Sequence, residues 1–365
     1  MTENRKALRF FIEMKHGLGD CVRIIPALKI LRDAFPDAYI ALAVNGKVNE
    51  DLFKLSGIRI DQFYYLSIRN NPLRDTVKLF YELRKKHFDY AIAATMTPVK
   101  KVKLLFKIIG AGNYIGEQFS EEGGKIEKPI VERNVDLLRG LVDIPAKIPA
   151  PFLYPDQVTV DEIRKNMRSV DLQTKRLIVN IGGGLPCFFK VHGKKIKEYP
   201  KDWGMPKLKK LIALLSKDGY QIFLLGGKDE ISRVPYVREL IDGEQVINFV
   251  GKLSIKQSVA LASICDVSIG VDTGMQHIAD AVGIKTISIF GLANPKLHGA
   301  YSNRATFIEY PVKCQYCFTN AQYKWCDNRI CLKGITVEVV HKKILEVLGN
   351  NSYDQNETGE RQCHE

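Results

Sequence analysis

The sequence predicts an α/β protein built from two successive units, each a parallel sheet flanked by helices. Short apolar runs alternate with segments of helical period in two separate stretches, and a proline-rich passage from Pro145 to Pro155 lies between them. Each stretch also contains a strand that leads into a glycine-containing turn and then a helix. Strands that alternate with helices form parallel sheets through right-handed crossovers. A chain of 365 residues with 45% hydrophobic content can fill two cores.

Five strands and three helices are predicted for the first unit. The strands are expected near 8–14, 39–44, 60–64, 88–94 and 113–116, and the helices near 21–34, 74–87 and 99–109. In the second unit the strands are expected near 176–181, 220–225, 246–249, 266–271, 285–290 and 305–309, and the helices near 205–217, 230–241, 255–264 and 274–282. A last helix near 336–348 completes the fold.

These elements divide the chain into an N-terminal domain of residues 1–160 and a C-terminal domain of residues 161–349, joined near 145–172. Residues 350–365 are polar and are predicted to form a disordered tail.

The first strand–turn–helix motif follows the strand-like run from Leu8 to Met14. The turn reads Lys-His-Gly-Leu-Gly-Asp from position 15 to position 20, and apolar residues then recur on one helix face. This is not the dinucleotide-binding fingerprint, because Val22 stands where its third glycine would be. Asp20 either caps the helix or acts as a general base above a crevice.

The second motif lies at residues 271–283. The apolar run Val267–Val271 predicts a buried strand, Asp272-Thr273-Gly274 forms the turn, and a helix follows. Helix N-termini carry unpaired N–H groups and partial positive charge, so this turn suits a phosphate. His277, one turn into the helix, can add a side-chain donor. The alternative is a capping Asp or Thr beside a solvated histidine.

Four segments together resemble the signatures of one enzyme family. They are Gly19-Asp20 with Pro26-Ala27-Leu28 and Phe35-Pro36; Lys197-Glu198-Tyr199-Pro200 with Trp203; the glycine pair Gly226-Gly227 followed by Lys228-Asp229-Glu230; and Asp272-Thr273-Gly274 with His277, Phe290-Gly291 and Asn294-Pro295. In this order they resemble glycosyltransferase family 9, the heptosyltransferases of lipopolysaccharide core synthesis. The resemblance covers roughly residues 8 to 345.

The resemblance implies the GT-B architecture, in which two Rossmann-like domains face a central cleft. The N-terminal domain would bind the acceptor and the C-terminal domain the nucleotide sugar. The implied reaction is an inverting, metal-independent transfer of a heptose from ADP-heptose to a lipopolysaccharide core or related glycan acceptor. A family member that uses another nucleotide sugar, or a protein or other glycan acceptor, is the alternative.

The resemblance also implies roles for individual residues. Asp20 matches the general base, Lys197 the cation that binds the phosphates, and Asp272 the acceptor of a hydrogen bond from a substrate hydroxyl. Either Asp229 or Glu230 would bind the ribose. The remaining positions expected to contact the nucleotide sugar are Gly19, Gly182, Thr273, Gly274 and His277.

The same chemistry follows from the residue types. The chain contains no Asp-x-Asp, the usual metal–diphosphate motif, so no cofactor is expected for catalysis. A departing diphosphate would then be stabilised by helix N–H groups and by cations. One carboxylate base and no nucleophile predict a single displacement with inversion.

The net charge of +13 predicts an acidic partner. The predicted helix 99–109 carries Lys100, Lys101, Lys103 and Lys107 on one face, which is either a solvated surface or a contact with an anionic bilayer or acceptor. The basic stretch from 190 to 201 suits a diphosphate. We expect a nucleotide-diphosphate sugar and an anionic glycolipid acceptor as partners, and no nucleic acid.

The apolar runs are too short for a membrane-spanning helix, and the N-terminal segment does not read as a secretory signal. The expected location is therefore the cytoplasm, with peripheral contact at the cytoplasmic face of the inner membrane.

Four of the eight cysteines cluster as C-x2-C-x8-C-x4-C at Cys314, Cys317, Cys326 and Cys331. Such a cluster can form a structural zinc or iron site, or it can consist of loop and core cysteines. With the basic charge it also raises the alternative of a zinc-bearing nucleic-acid-binding protein. The two strand–turn–helix motifs argue against that alternative.

Overall fold

The computed structural model describes residues 7–66, 73–95, 97, 99–117, 128–166, 174–184, 187–191, 194–241, 245–317, 326 and 328–349. Within them lie two parallel sheets and one antiparallel hairpin. The strands are β1 Arg9–Glu13, β2 Tyr39–Val44, β3 Gln62–Tyr65, β4 Tyr90–Ala93, β5 Asn113–Ile115, β6 Arg176–Asn180, β7 Cys187–Val191, β8 Lys194–Glu198, β9 Gln221–Leu225, β10 Val246–Asn248, β11 Val267–Val271, β12 Lys285–Ile289 and β13 Ala305–Ile308. The predicted tail at 350–365 lies outside the described residues.

Fourteen α-helices connect these strands in the described ranges. They are α1 Leu18–Arg23, α2 Ile25–Ala34, α3 Lys47–Lys54, α4 Leu73–Arg84, α5 Val99–Ile109, α6 Ile130–Asp136, α7 Gln157–Asn166, α8 Met205–Lys217, α9 Arg238–Ile241, α10 Ile255–Ser263, α11 Gly274–Val282, α12 Pro295–His298, α13 Ile330–Lys333 and α14 Val337–Leu348. A 3-10 helix spans Lys228–Val237. None of the helices in the described part is long and apolar enough to cross a membrane.

The first sheet has the strand order β3-β2-β1-β4-β5, and every pairing in it is parallel. Its central strand β1 is buried from Phe10 to Glu13 because helices cover both faces of the sheet. The apolar sequence of β1 follows from that burial. The carboxyl ends of β1, β2 and β4 meet at one edge, where the β1–α1 turn begins.

The second sheet has the order β10-β9-β6-β11-β12-β13, again with parallel pairing throughout. Both β9 and β11 are buried along their whole length. The turn from β11 into α11 therefore leaves the sheet from a central strand. The two separate parallel sheets confirm the predicted fold class.

The two units share a core around α11. Ile278 and Ala281 of α11 and Val259 of α10 belong to the same buried apolar cluster as Phe10 and Ile25 of the first unit. The N–H of Leu153 in the connecting segment also donates to the carbonyl of Ala281, at 2.9 Å. One face of α11 thus packs against the N-terminal unit, which brings the two strand-to-helix turns together.

The structure corrects several element predictions. The single helix expected at 21–34 is two helices that meet at Ile24, and the first already begins at Leu18. Pro26 explains the break, because it lacks an N–H and is favoured in the first turn of a new helix. The helix expected at 230–241 is largely a 3-10 helix with Pro235 inside it. The sequence analysis also missed the β7–β8 hairpin and the helices α3, α6, α7, α12 and α13.

Candidate active site

The turn between β1 and α1 carries Asp20 inside the first turn of the helix. The residue at the helix N-cap is Gly17, with φ −68° and ψ 166° and no side-chain capping bond. Asp20 therefore does not occupy the capping position. Its carboxylate oxygen Oδ1 lies 2.8 Å from Nη2 of Arg23, one turn further along the helix, and about a third of its side chain is exposed (32%). Asp20 is thus held by a cation while remaining accessible.

Arg23 extends from α1 toward the second unit. Its side chain is 12% exposed, and Nη1 donates to the carbonyl oxygen of His298, at the end of α12, at 3.5 Å. His298 is itself buried. Its burial, followed by the positive charge of Arg23, lowers the pKa of the imidazole to about 4. Arg23 therefore connects the Asp20 carboxylate of the first unit to the His298 backbone of the second unit.

The turn between β11 and α11 leads to a helix N-terminus without a side-chain cap. Thr273 is the N-cap residue and its side chain makes no capping hydrogen bond. The hydroxyl oxygen of Thr273 is buried without a hydrogen-bond partner among the described residues. A buried polar atom without a partner is uncommon in a native structure and often marks a ligand or water position.

Asp272 directly follows β11 and is buried. Its Oδ2 lies 2.5 Å from Nζ of Lys201, and its Oδ1 lies 3.8 Å from Nε2 of His277. Burial alone would raise the pKa of Asp272, but the charge of Lys201 and the bond with His277 outweigh it and hold the pKa well below its usual range. Asp272 is therefore an ionised carboxylate with a cation beside it.

The two turns meet at a pair of glycines. A methyl group in place of a hydrogen on Gly19 would lie 2.9 Å from Cδ2 of His277 and 3.3 Å from Cα of Gly274. A methyl group on Gly274 would lie 3.0 Å from the backbone nitrogen of Gly19. Only residues without a side chain allow this approach. His277 is 4% exposed and packs against Gly19. It is therefore not the solvated side chain of the alternative interpretation.

The two candidate ribose-binding carboxylates, Asp229 and Glu230, differ in exposure and in position. Asp229 is exposed, whereas Glu230 is half-buried at the carboxyl ends of β6 and β9. A methyl group on Gly182 would lie 3.2 Å from Oε1 of Glu230, and the N–H of Gly227 donates to its Oε2 at 2.8 Å. Of the two candidates, Glu230 is the one that lies beside the predicted Gly182.

Lys201, four residues after the predicted Lys197, was not singled out by the sequence analysis, although it ends the basic stretch 190–201 that was expected to suit a diphosphate. The side chain of Lys197 lies outside the described residues, and its backbone belongs to β8. Lys201 follows Tyr199-Pro200 directly and reaches Asp272. A lysine immediately after the aromatic–proline pair was the available signal, but nothing in the sequence ranks it above the neighbouring lysines.

A second missed group lies beside Lys201. Arg233 donates from Nη1 to the carbonyl oxygen of Ile181 at 2.8 Å, pairs with the carboxylate of Asp202, and lies 5.4 Å from the centre of the Tyr199 ring. These contacts fix the segment 199–202 over the end of β6. They explain how Lys201 is held against Asp272.

The four clustered cysteines have different surroundings. Cys331 is buried, Cys317 is half-buried, and Cys314 and Cys326 are exposed. Burial raises the pKa of Cys331, and the nearby thiols of Cys317, Cys314 and Cys326 raise it further, so the four residues share one region of the fold. Within the described ranges, however, no group of three or more His, Cys, Asp or Glu side chains is arranged to hold a metal ion.

The site therefore places an accessible carboxylate, Asp20, next to an uncapped helix end and a lysine–carboxylate pair. A carboxylate can accept a proton, and the helix end with Lys201 can stabilise negative charge. This combination suits the transfer of a group from a phosphate-containing donor to a hydroxyl.

Comparison with known proteins gives consistent results. The profile described as glycosyltransferase family 9 (heptosyltransferase) matches residues 76–325. Lipopolysaccharide heptosyltransferase 1 of Campylobacter coli is 22% identical over 355 residues, covering 92% of this chain and 97% of that protein. The structure of Escherichia coli ADP-heptose lipopolysaccharide heptosyltransferase II superposes with a TM-score of 0.72 at 18% identity, covering 93% of this chain and 98% of that one.

A third similar protein is the iron-containing dodecameric glycosyltransferase TibC from enterotoxigenic Escherichia coli. Its structure superposes with a TM-score of 0.58 at 13% identity and covers 94% of this chain and 77% of that one. The two solved structures show that the fold of this chain is the GT-B arrangement of two α/β domains.

Proposed function

We propose that this chain, which belongs to glycosyltransferase family 9 (heptosyltransferase), transfers a heptose from ADP-heptose to a lipopolysaccharide core or related glycan acceptor, with inversion and without a catalytic metal. The support for the donor and acceptor classes is the set of similar proteins, whose names specify lipopolysaccharide and ADP-heptose. The observation that carries the proposal is the contact of the two turns at Gly19 and Gly274, which joins a base-bearing loop to an anion-binding helix end.

The donor diphosphate would bind at the N-terminus of α11. The uncapped N–H groups there, together with the unpartnered hydroxyl of Thr273, are suitable donors for phosphate oxygens. Lys201 lies at the same place and adds positive charge. When the sugar–phosphate bond breaks, negative charge develops on the diphosphate, and these groups stabilise it without a metal.

Asp272 and Glu230 would orient the donor. As a buried, ionised carboxylate, Asp272 can accept a hydrogen bond from a hydroxyl of the bound sugar. Glu230 would accept hydrogen bonds from the ribose beside Gly182, with Gly227 holding its carboxylate in place. Hydrogen bonds from the donor to these two carboxylates would fix the orientation of the sugar in the cleft.

Asp20 is proposed as the general base. It would take the proton from the acceptor hydroxyl as that oxygen attacks the anomeric carbon. The proposed centre contains one base and no side-chain nucleophile, so the reaction proceeds by a single displacement with inversion. Arg23 keeps the Asp20 carboxylate oriented and also contacts the C-terminal domain, which couples the position of the base to the donor side.

The basic surface of the N-terminal domain suits an anionic glycolipid acceptor. Lys103 and Lys107 of α5 are exposed, and the apolar side chains of Leu104, Val77 and Tyr81 on α5 and α4 are exposed on the same domain. A surface that combines lysines with accessible apolar groups can rest on an anionic bilayer. We propose a cytoplasmic protein with peripheral contact at the inner membrane, and no nucleic acid as a partner.

A structural metal at the cysteine cluster is a second proposal. Four thiols offer the donor chemistry that zinc and iron prefer, and they share one region, although the described side chains do not form a ligand set. Arg329, the N-cap residue of the helix α13 that contains Cys331, donates to the carbonyl oxygen of Tyr199 at 2.7 Å. A metal here would therefore stiffen the segment that carries Lys201, and no catalytic step depends on it.

Two measurements test the proposal. Calorimetry with ADP, UDP and GDP should give binding for ADP and much weaker binding for the other two. The Asp20→Asn variant should fold and bind ADP like the wild type, because the asparagine preserves shape, but its turnover should fall roughly 10²–10⁴-fold. Turnover of Asp20→Asn within a few-fold of wild type would eliminate Asp20 as the base.

A further inference from the structure

A buried carboxylate at the end of β1 has no role in the chemistry described above. Glu13 is 6% exposed and occupies the central strand of the first sheet, paired with Ala43 on one side and Ala93 on the other. Burial of a carboxylate is costly unless its oxygens are hydrogen-bonded or paired with a cation. The partners of Glu13 therefore indicate why it is there.

Glu13 is connected to a histidine through a hydroxyl group. The hydroxyl of Thr97, beyond the end of β4, donates to Oε2 of Glu13 at 3.0 Å. The hydroxyl oxygen Oγ1 of Thr97 also lies 2.7 Å from Nε2 of His16. Among the described residues, His16 is the only basic side chain within 4.0 Å of the Glu13 carboxylate. The three side chains form a short chain from the buried strand to the β1–α1 turn.

The direction of these hydrogen bonds determines the histidine tautomer. A threonine hydroxyl has one proton, and Thr97 gives it to Glu13. The bond between Thr97 and His16 then requires the proton to lie on Nε2 of the imidazole. In a neutral His16 the other nitrogen, Nδ1, carries only a lone pair and can only accept. The chain thus prepares a defined hydrogen-bond acceptor.

The backbone of His16 is fixed as well. Its carbonyl oxygen accepts from Nδ2 of Asn45 at 2.9 Å and from Nδ2 of Asn49 at 3.3 Å. Asn45 follows β2 and Asn49 lies in α3, so two further elements hold the turn. The side chain of His16 remains 15% exposed. A rigid, partly accessible imidazole at the carboxyl ends of parallel strands lies where α/β domains bind ligands.

We propose that His16 is an acceptor-binding residue, whose Nδ1 accepts a hydrogen bond from a hydroxyl of the acceptor sugar while Glu13 and Thr97 position the ring. The inference rests on the proposed function, because it takes the acceptor to lie above the β1–α1 turn that also carries Asp20. A sugar acceptor has hydroxyls beside the one that attacks, and a hydroxyl is the donor that Nδ1 requires. His16 would hold such a neighbouring hydroxyl while Asp20 removes the proton from the attacking one.

Two substitutions of His16 separate this role from a purely structural one. The amide of asparagine lies near the position of Nδ1, and the longer glutamine reaches the position of Nε2. An acceptor-binding role predicts that His16→Gln raises the KM for the acceptor on the order of tenfold, the effect of one lost hydrogen bond, and that His16→Asn, which keeps an acceptor near Nδ1 and loses only the contact with Thr97, raises it clearly less. If His16 only links the turn to Thr97 through Nε2, His16→Gln should instead keep the acceptor KM near the wild-type value and His16→Asn should raise it.

The assay uses ADP-heptose as the donor and heptose-free lipopolysaccharide as the acceptor, with both KM values and kcat measured. The KM for ADP-heptose should not change in either variant. Thr97→Val, which removes the same contact with the ring as His16→Asn does, should raise the acceptor KM by about as much as that variant, and Thr97→Ser, which keeps the hydroxyl, should restore it. These Thr97 variants also serve if a His16 variant does not fold.

The outcomes are distinct. Equal acceptor KM values for His16→Asn, His16→Gln and the wild type, or better function of His16→Gln, would overturn the inference and leave the proposed function intact. Absence of wild-type turnover with this donor and acceptor would instead refute the proposed function, and the inference with it.

Discussion

The contact between the two turns predicts a specific intolerance at Gly19. In Gly19→Ala the new methyl carbon would lie 2.9 Å from Cδ2 of His277, against an optimal carbon–carbon separation of about 3.5–4.0 Å. His277 is buried, and the second neighbour, Gly274, presents backbone, so neither can simply rotate away. Overpacking of this kind costs about 1–3 kcal/mol of unfolding free energy.

The same substitution should reduce turnover. Relief of the clash requires the β1–α1 turn to move away from α11, which displaces Asp20 relative to the donor side. A displacement of about 1 Å at a reacting group can cost roughly 10²-fold in rate. Thermal unfolding and steady-state kinetics with ADP-heptose measure the two effects on the same preparation.

Gly17→Ala is the matched control, two residues earlier in the same turn. Gly17 has φ −68° and ψ 166°, which alanine adopts readily, and its added methyl would lie 3.8 Å from Oδ2 of Asp20, an ordinary contact. Because alanine is less favourable than glycine at a helix N-cap, this variant should lose up to about 1 kcal/mol without displacing the turn from α11. If Gly19→Ala is as stable and as active as Gly17→Ala, the two turns do not touch as described.

Two further predictions concern pH and metal content. The pKa of His298 falls from 6.5 in the unfolded chain to about 4 in the fold, so the unfolded state binds more protons between these values and the free energy of unfolding should drop as pH falls from 6.5 to 4. His298→Gln should weaken that dependence in urea titrations, and an unchanged slope would contradict the assignment. If the cysteine cluster binds metal, the isolated protein should contain close to one equivalent of zinc or iron, and Cys314→Ser should lose it and melt earlier. If the isolated protein contains no metal and Cys314→Ser melts at the wild-type temperature, the four residues are ordinary loop and core cysteines.

The sequence predicted the elements whose pattern is local. The apolar runs of the two sheets and the turns at Gly17–Asp20 and Asp272–Gly274 were recognisable because a buried parallel strand and a helix start have their own residue patterns. Short helices such as α12 and α13 have four residues each, too few to show a helical period. The β7–β8 hairpin is rich in lysine and was interpreted only as a basic stretch.

Pairings between distant residues could not be predicted from one sequence. Lys201 reaches Asp272 across 71 positions, and Thr97 reaches Glu13 across 84. For Lys201 the sequence indicated only that it belongs to the basic stretch 190–201, and Thr97 belongs to no motif that the sequence analysis recognised. The choice between Asp229 and Glu230 likewise depended on which side chain the 3-10 helix turns toward Gly182.

The central claim is the transfer of a heptose from ADP-heptose, and the most direct measurement is the reaction itself. The purified protein is incubated with ADP-heptose and heptose-free lipopolysaccharide in the presence of EDTA, and the product is analysed by mass spectrometry and by NMR of the anomeric centre. One heptosyl residue should be added, with inverted anomeric configuration. Retained configuration, a requirement for added divalent metal, or turnover only with a different nucleotide sugar would contradict the claim.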